Sequence, residues 1–176
     1  TVTSANISTS AAGNVDLDET DDITLTDLDT NNGTITVDAD GALTVTDVAS
    51  GTNGNITLTT TSGDITGLAT VNAGSGNVTL NSAGAIVDDG SAGTVITGGV
   101  LTADAAGAIT IDSTVASANI STSAAGNVDL DETDGITLTD LDTNDGSITV
   151  DAGGLITATD VVAAGGSGDS VTLTTT

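Results

Sequence analysis

The pentapeptide Gly-Thr-Ile-Thr-Val at residues 33–37 decides the fold of this chain, because close variants of it recur along the sequence. It returns as Gly-Asn-Ile-Thr-Leu at 54–58, Gly-Asn-Val-Thr-Leu at 76–80 and Gly-Ala-Ile-Thr-Ile at 107–111. Apolar and polar residues alternate within each unit, which is typical of a β-strand with one buried face. The leading glycine is expected to supply a turn conformation that most other residues avoid.

The spacing of these units predicts a solenoid. The first apolar residues of one series of units recur every 20 to 22 positions, at Val15, Ile35, Ile56 and Val78. A second series lies eight positions further on, at Ile23, Leu43, Ile65, Ile86 and Ile109. One turn of about 21 residues therefore holds at least two strands, as in a parallel β-helix whose coils stack about 4.8 Å apart. We predict an all-β, parallel β-helix solenoid with about eight coils.

A long tandem repeat is superimposed on this short one. Residues 1–48 return at 114–161 with eight differences, and residues 4–20 return unchanged at 117–133. We therefore treat residues 1–176 as one β-helix segment with a first long repeat at 1–113 and a partial second repeat at 114–176. Equivalent residues of the two copies are expected to occupy the same place in the coil, which requires a whole number of coils per long repeat. We therefore expect the first long repeat to form five coils, one of them enlarged by residues 118–123. A sixth, short coil is the alternative.

The composition favours a narrow aliphatic core and a negatively charged surface. Aromatic residues, Met, Pro and Cys are absent, and the net charge is −25 because 25 acidic residues face no Lys, Arg or His. Only Glu19 and Glu132 among the acids are glutamates. The lack of basic residues argues against a nucleic-acid partner, since phosphate contacts come largely from Lys and Arg. No apolar run approaches the roughly 20 residues of a membrane-spanning helix, so we expect no membrane insertion.

The coil period also predicts stacked aspartates. Four pairs are separated by one coil period, namely Asp18 with Asp38, Asp27 with Asp47, Asp131 with Asp151 and Asp140 with Asp160. Like charges on adjacent strands repel, at a cost of about 1 kcal/mol per pair in a high dielectric. Salt could screen these pairs, or Ca²⁺ could bridge them, because Ca²⁺ accepts several oxygen ligands in flexible geometry. We regard the pairs as candidate calcium sites, although the fold itself requires no cofactor.

Catalysis is the least favoured interpretation. The chain offers no His, Cys, Lys, Arg or Tyr as a base, nucleophile or charge stabiliser, so we predict that it is not an enzyme. A carboxylate pair could hydrolyse glycosides, which leaves a β-helical carbohydrate-active enzyme as the weakest alternative. The recurrent Thr-x-Thr motif leaves a second alternative, an ice-binding module with a flat threonine array.

Three stretches, residues 54–59, 76–86 and 93–103, resemble the repeat regions of large bacterial exoproteins of the filamentous-haemagglutinin type. The resemblance implies a right-handed parallel β-helical shaft that is secreted to the cell surface and acts in adhesion, matrix or biofilm. It implies no catalytic residues.

These observations together predict an extracellular structural protein. We expect a shaft within a secreted bacterial surface fibre, adhesin or filament. Its expected partners are further copies or continuations of the shaft, joined end to end through unpaired strand edges, and carbohydrate of a host surface or matrix. A calcium-dependent adhesive module is the principal alternative.

Overall fold

The computed structural model describes residues 2–91, 93 and 95–176, and these form a parallel β-solenoid of about eight stacked turns of roughly 20 residues each. This confirms the predicted fold class. The described residues contain no helix, and hence no helix long and apolar enough to cross a membrane. The strands are β1 Ser4–Ser8, β2 Val15–Glu19, β3 Ile23–Asp29, β4 Ile35–Ala39, β5 Leu43–Val45, β6 Asp47–Ala49, β7 Ile56–Thr60, β8 Ile65–Leu68, β9 Thr70–Asn72, β10 Val78–Ser82, β11 Ile86–Asp88, β12 Ile96–Ala105, β13 Ile109–Ala125, β14 Val128–Glu132, β15 Ile136–Asp145, β16 Ile148–Ala152, β17 Ile156–Ala158, β18 Val161–Ala163 and β19 Val171–Thr175.

The strands stack in three series, which we name faces A, B and C. Face A runs through the paired residues Val15, Ile35, Ile56, Val78, Leu101, Ala118 and Leu138. Face B runs through Ile23, Leu43, Ile65, Ile86, Ile109, Val128, Ile148 and Val171. Face C runs through Leu28, Val48, Val71, Ile96 and Ser113. The two series predicted from sequence are the starts of faces A and B, and face C is the third strand of each coil.

The interior is a slim column of aliphatic side chains. In β4, Ile35 and Val37 are fully buried, and their register partners Ile56 and Leu58 in β7 are fully buried as well. Each such side chain contributes about 1.5–3 kcal/mol through removal from water. Because stacked β-branched and leucine side chains fill the space between three strands, no aromatic residue is needed.

The glycines that precede the strands have a different role from the one predicted. Gly33, Gly54 and Gly76 do not adopt positive φ, so a special turn conformation is not what selects them. They lie one above another, and a Cβ added to Gly54 would sit 2.0 Å from the carbonyl oxygen of Gly33. Close backbone approach between successive coils therefore excludes every side chain at these positions.

The corners are completed by polar side chains that bond to the backbone. The hydroxyl of Thr30, which is buried, donates to the carbonyl oxygen of Gly33 at 2.8 Å. Thr143 makes the corresponding contact with Gly146 at 2.6 Å. These bonds provide a donor for carbonyl oxygens that the turn removes from water. A buried carbonyl oxygen without a donor would lower the stability of the fold.

The two copies of the long repeat occupy different faces, which contradicts the expectation of a whole number of coils. Val15 lies on face A, whereas its repeat equivalent Val128 pairs with Ile109 on face B. Residues 118–123 do not enlarge a coil. Ala118 pairs directly with Leu101 on face A, so the coil that joins these two residues is shorter than its neighbours. The long repeat therefore spans five coils and about one additional face.

We call the boundary between the two copies the repeat seam, where residues 113–132 stack on residues 96–113. β12 and β13 pass through it without interruption at the corner between faces C and A. Above the seam, the second copy reproduces the internal register of the first. Ser117 pairs with Thr137 as Ser4 pairs with Thr24, and Val128 pairs with Ile148 as Val15 pairs with Ile35.

Candidate functional site

The outer surface brings the predicted aspartate pairs together. Asp18 is the register partner of Asp38 at the end of β2 and β4, and Asp131 is the register partner of Asp151 in β14 and β16. These positions project outward because the alternating residues of each strand point into the core. The rotation at the repeat seam adds a neighbour that the sequence did not indicate, since Asp112 of β13 pairs with Asp131 from below.

The other two predicted pairs also lie side by side. Asp27 and Asp47 precede the register partners Leu28 and Val48, and Asp140 and Asp160 precede Leu141 and Val161. Partial burial, followed by the charge of Asp27, raises the pKa of Asp47 above its ordinary value. All four predicted aspartate pairs therefore lie on adjacent coils of the solenoid.

Burial, and to a smaller extent the charges of neighbouring carboxylates, also raises the pKa of carboxyls next to these pairs. Burial raises the pKa of Asp142, and the charges of Asp140 and Asp160 raise it further. Burial is likewise the main reason why the pKa of Asp112 is raised, with a smaller contribution from Asp88. The acidic surface therefore holds its negative charge at a cost, because the chain carries no basic side chain to offset it.

The aspartates form pairs and columns rather than an assembled metal centre. Among the described residues, no group of three or more His, Cys, Asp or Glu side chains is arranged to hold a metal ion. The candidate calcium residues Asp18, Asp38, Asp27, Asp47, Asp131, Asp151, Asp140 and Asp160 are therefore adjacent in pairs. Calcium binding by them stays a prediction.

A second surface feature is a ladder of threonines on face A. Thr36, Thr57, Thr79 and Thr102 are consecutive register partners on four neighbouring coils. Thr59 and Asn81 stand beside them, two residues along their strands. At this second position the two outer coils of the ladder carry Asp38 and Asp104, so only the two middle coils present hydroxyl and amide groups alone.

Two buried glutamates were missed in the sequence. Glu132 is only 4% exposed, and its carboxylate accepts hydrogen bonds from the Ser113 hydroxyl at 2.7 Å and the Val115 amide at 3.0 Å. Glu19 accepts from the Val2 amide at 2.6 Å, which is the equivalent contact in the first copy. That bond is the main reason why the pKa of Glu19 is lowered.

The sequence itself contains a feature that could have identified these two glutamates. They are the only glutamates among 25 acids, and they occupy the same position of the two copies. The glutamate side chain, one methylene longer than aspartate, reaches an amide of the coil below.

Comparisons of the chain with protein-family models, with curated proteins and with solved structures found no match. By its fold and its composition the chain is a highly acidic parallel β-solenoid.

Proposed function

We propose that this chain is a shaft segment of a secreted bacterial surface fibre, adhesin or extracellular filament, and that it acts through its length without catalysis. The observation that carries the proposal is the unbroken stack of about eight coils around one aliphatic core. Each coil adds about 4.8 Å along the axis, so every additional repeat lengthens the molecule without widening it.

The charge distribution supports an exposed extracellular role. Carboxylates lie on all three faces, and a net charge of −25 keeps neighbouring shafts apart and hydrated. The resemblance of residues 54–59, 76–86 and 93–103 to filamentous-haemagglutinin-type repeats points in the same direction. In this role the shaft extends the fibre towards its proposed partner, carbohydrate of a host surface or matrix. The proposed role requires no cofactor.

The test is the location and shape of the protein in its native cells. Antibodies against residues 2–91 should label intact cells, and negative-stain electron microscopy of surface material should show labelled thin fibres. Release of the label by protease treatment of intact cells is also expected. Labelling confined to permeabilised cells would contradict the proposal.

A calcium-dependent adhesive module is a second candidate, which the stacked pairs Asp18/Asp38 and Asp131/Asp151 favour. A ligand that binds only the folded chain raises its melting temperature. Calcium titration should therefore raise the melting temperature more than magnesium at equal ionic strength, and Asp151→Asn should reduce the difference. An equal rise in melting temperature with calcium and magnesium would mean that the ions only screen the charges, and it would contradict a specific calcium site.

An ice-binding module is a third candidate, which the ladder of Thr36, Thr57, Thr79 and Thr102 favours. Hydroxyls that repeat at the strand spacing in a flat array could order water in a fixed pattern. Thermal hysteresis that is lost in Thr57→Tyr and retained in Thr110→Tyr, on face B, would establish this function. Absence of hysteresis in the unchanged chain would exclude it.

A further inference from the structure

We propose that Asn32 is a site of spontaneous modification, where attack by the Gly33 amide nitrogen releases ammonia and converts the side chain to aspartate. The inference is independent of the proposed shaft function, because the reaction needs no partner, enzyme or cofactor. Asparagine is followed by glycine twice in the chain, at Asn32-Gly33 and at Asn53-Gly54. Glycine has no Cβ to shield its amide nitrogen, so ring closure is least hindered at these two pairs. The structure distinguishes between them.

Asn32 lies at an exposed corner with an unusual backbone conformation. Its φ is 66°, and it is the only non-glycine residue with positive φ in the part of the chain that the structure describes. The glycine that follows it is fixed by packing, since a Cβ added to Gly33 would sit 2.0 Å from the carbonyl oxygen of Gly13. The coil stack therefore imposes glycine after Asn32, and with it the reactive pair.

Two donors from the coil above hold the side-chain carbonyl of Asn32. The Thr52 backbone amide donates to Oδ1 of Asn32 at 2.7 Å, and the Thr52 hydroxyl donates to the same oxygen at 2.5 Å. That hydroxyl accepts a hydrogen bond from the Asn53 side-chain amide at 3.2 Å, which directs its own proton towards Asn32. Negative charge develops on Oδ1 when the carbonyl carbon is attacked, and fixed donors stabilise such charge. The arrangement therefore favours the reaction at Asn32.

The reaction balances without an external reagent other than water. The Gly33 nitrogen forms a bond to Cγ of Asn32, the Cγ–Nδ2 bond breaks, and Nδ2 leaves as ammonia with the proton from Gly33. Water then opens the five-membered succinimide ring, adding its hydroxyl to one carbonyl carbon and its proton to the Gly33 nitrogen. The reacting groups are adjacent in the chain, which is why no catalyst is needed. The departing Nδ2 makes a long contact of 3.4 Å with the side-chain oxygen of Asn31, which holds it weakly.

The second copy of the long repeat shows that the corner accepts the product. Position 32 corresponds to Asp145, which is also followed by glycine. Oδ1 of Asp145 accepts from the Gly166 amide of the coil above at 3.3 Å, as Oδ1 of Asn32 accepts from the Thr52 amide. Ring opening to isoaspartate would instead add a methylene to the main chain, beside a glycine that has no space for a single Cβ. We therefore expect aspartate as the main product in the folded chain.

Asn53 provides an internal comparison with the same following residue. Its Oδ1 accepts from the Ser75 hydroxyl at 2.5 Å, whereas the Ser75 backbone amide donates to the Thr52 carbonyl oxygen at 2.8 Å. The carbonyl of Asn53 therefore has a rotatable hydroxyl in place of the fixed amide that Asn32 has. Folding should make Asn32 react faster than Asn53 by about tenfold or more, the order of effect of one fixed donor.

Peptide mapping during incubation at neutral pH measures both rates in the intact chain. A protease that cuts before aspartate releases residues 29–37 and 47–63, which contain Asn32 and Asn53 respectively. Aspartate at position 32 creates a new cleavage point, whereas isoaspartate gives the same mass increase without the cut. We expect Asn32 to react first in the folded chain, mainly to aspartate, and the two sites to react at similar rates in denaturing urea. Equal rates in the folded chain, or a faster reaction of Asn32 in urea, would overturn the proposal.

Substitutions of Thr52, which is exposed, test the two donors directly. Thr52→Ala removes the hydroxyl donor and should slow the reaction of Asn32 by about tenfold or more, whereas Thr52→Ser keeps the hydroxyl and should retain the rate. Ser75→Ala is the matched control, because it removes the donor of Asn53 and should leave Asn32 unaffected. Circular dichroism should show the same fold for all three variants. An unchanged rate at Asn32 in Thr52→Ala would overturn the role assigned to Thr52.

Discussion

Val15 and Val128 have identical sequence surroundings but lie on different faces of the solenoid. Val15 begins face A and is followed upward by Ile35, whereas Val128 lies on Ile109 of face B. Each copy keeps its own coil-to-coil register, so the difference arises only at the repeat seam. Any surface pattern of the first copy is therefore displayed on a new side of the shaft by the second copy.

Cysteine pairs distinguish this rotation from a whole number of coils. Thr110 and Asp129 are register partners, so Thr110→Cys with Asp129→Cys should form an intramolecular disulfide in high yield. If instead five whole coils separated the copies, Asp129 would lie on Thr102. The Thr102→Cys, Asp129→Cys variant should therefore remain reduced, as judged by mass spectrometry after oxidation. Efficient closure of the Thr102 pair would contradict the rotation.

The sequence is a sufficient guide to the coil and its surface pairs, because one period governs both. Alternation of Ile35, Thr36 and Val37 sets which side chains are buried, and the coil period sets which residues stack. Asp18 and Asp38 are partners for this reason. The period says nothing about the number of strands in a coil, so face C was not predicted.

The seam could not be predicted for a different physical reason. Identical residues fit face A and face B equally well, because both faces require only an alternating strand that follows a tight corner. The choice depends on the short coil from Leu101 to Ala118, where β13 continues around the corner without a turn sequence. No local motif marks such a continuous strand.

Gly54→Ala should strongly destabilise the chain, since its Cβ would sit 2.0 Å from the carbonyl oxygen of Gly33. Relief of that overlap requires separation of two coils, so we expect a loss of about 3 kcal/mol or more. Urea unfolding, monitored by circular dichroism, measures this loss in the free energy of unfolding. Gly13→Ala is the matched control, because Gly13 belongs to the same column and its nearest atom would be 3.7 Å away. Equal losses for the two variants would disprove the close-approach explanation.

Glu132→Ala should destabilise the seam. The substitution leaves the Ser113 hydroxyl and the Val115 amide without their acceptor, at a cost of about 1–3 kcal/mol for each group that stays buried. Glu132→Gln retains one carbonyl oxygen and should lose less. Asp134→Ala, at an exposed position of the following corner, should change stability by no more than about 0.5 kcal/mol. Chemical denaturation of the three variants checks this order.

The chain should become more stable as the pH falls, which is the reverse of ordinary acid denaturation. Burial and neighbouring carboxylates raise the pKa of five aspartates in the folded state, namely Asp29, Asp47, Asp112, Asp131 and Asp142. Their protonation therefore favours folding. The gain begins as the pH falls through the raised values and is complete below the ordinary aspartate value of 3.8.

Glu19 acts in the opposite direction, because its pKa is lowered from 4.5 and its contribution is lost as the pH falls through the lowered value. Because the pKa of five groups is raised and that of one group is lowered, we expect a higher melting temperature at about pH 3.5 than at pH 7. Asp131→Asn removes a repelling charge and should raise the melting temperature at pH 7, with a much smaller effect at the acidic pH. Asp21→Asn removes the same charge from an exposed corner and should have little effect at either pH. A melting temperature that falls steadily on acidification would show that stacked carboxylates do not limit the stability of the shaft.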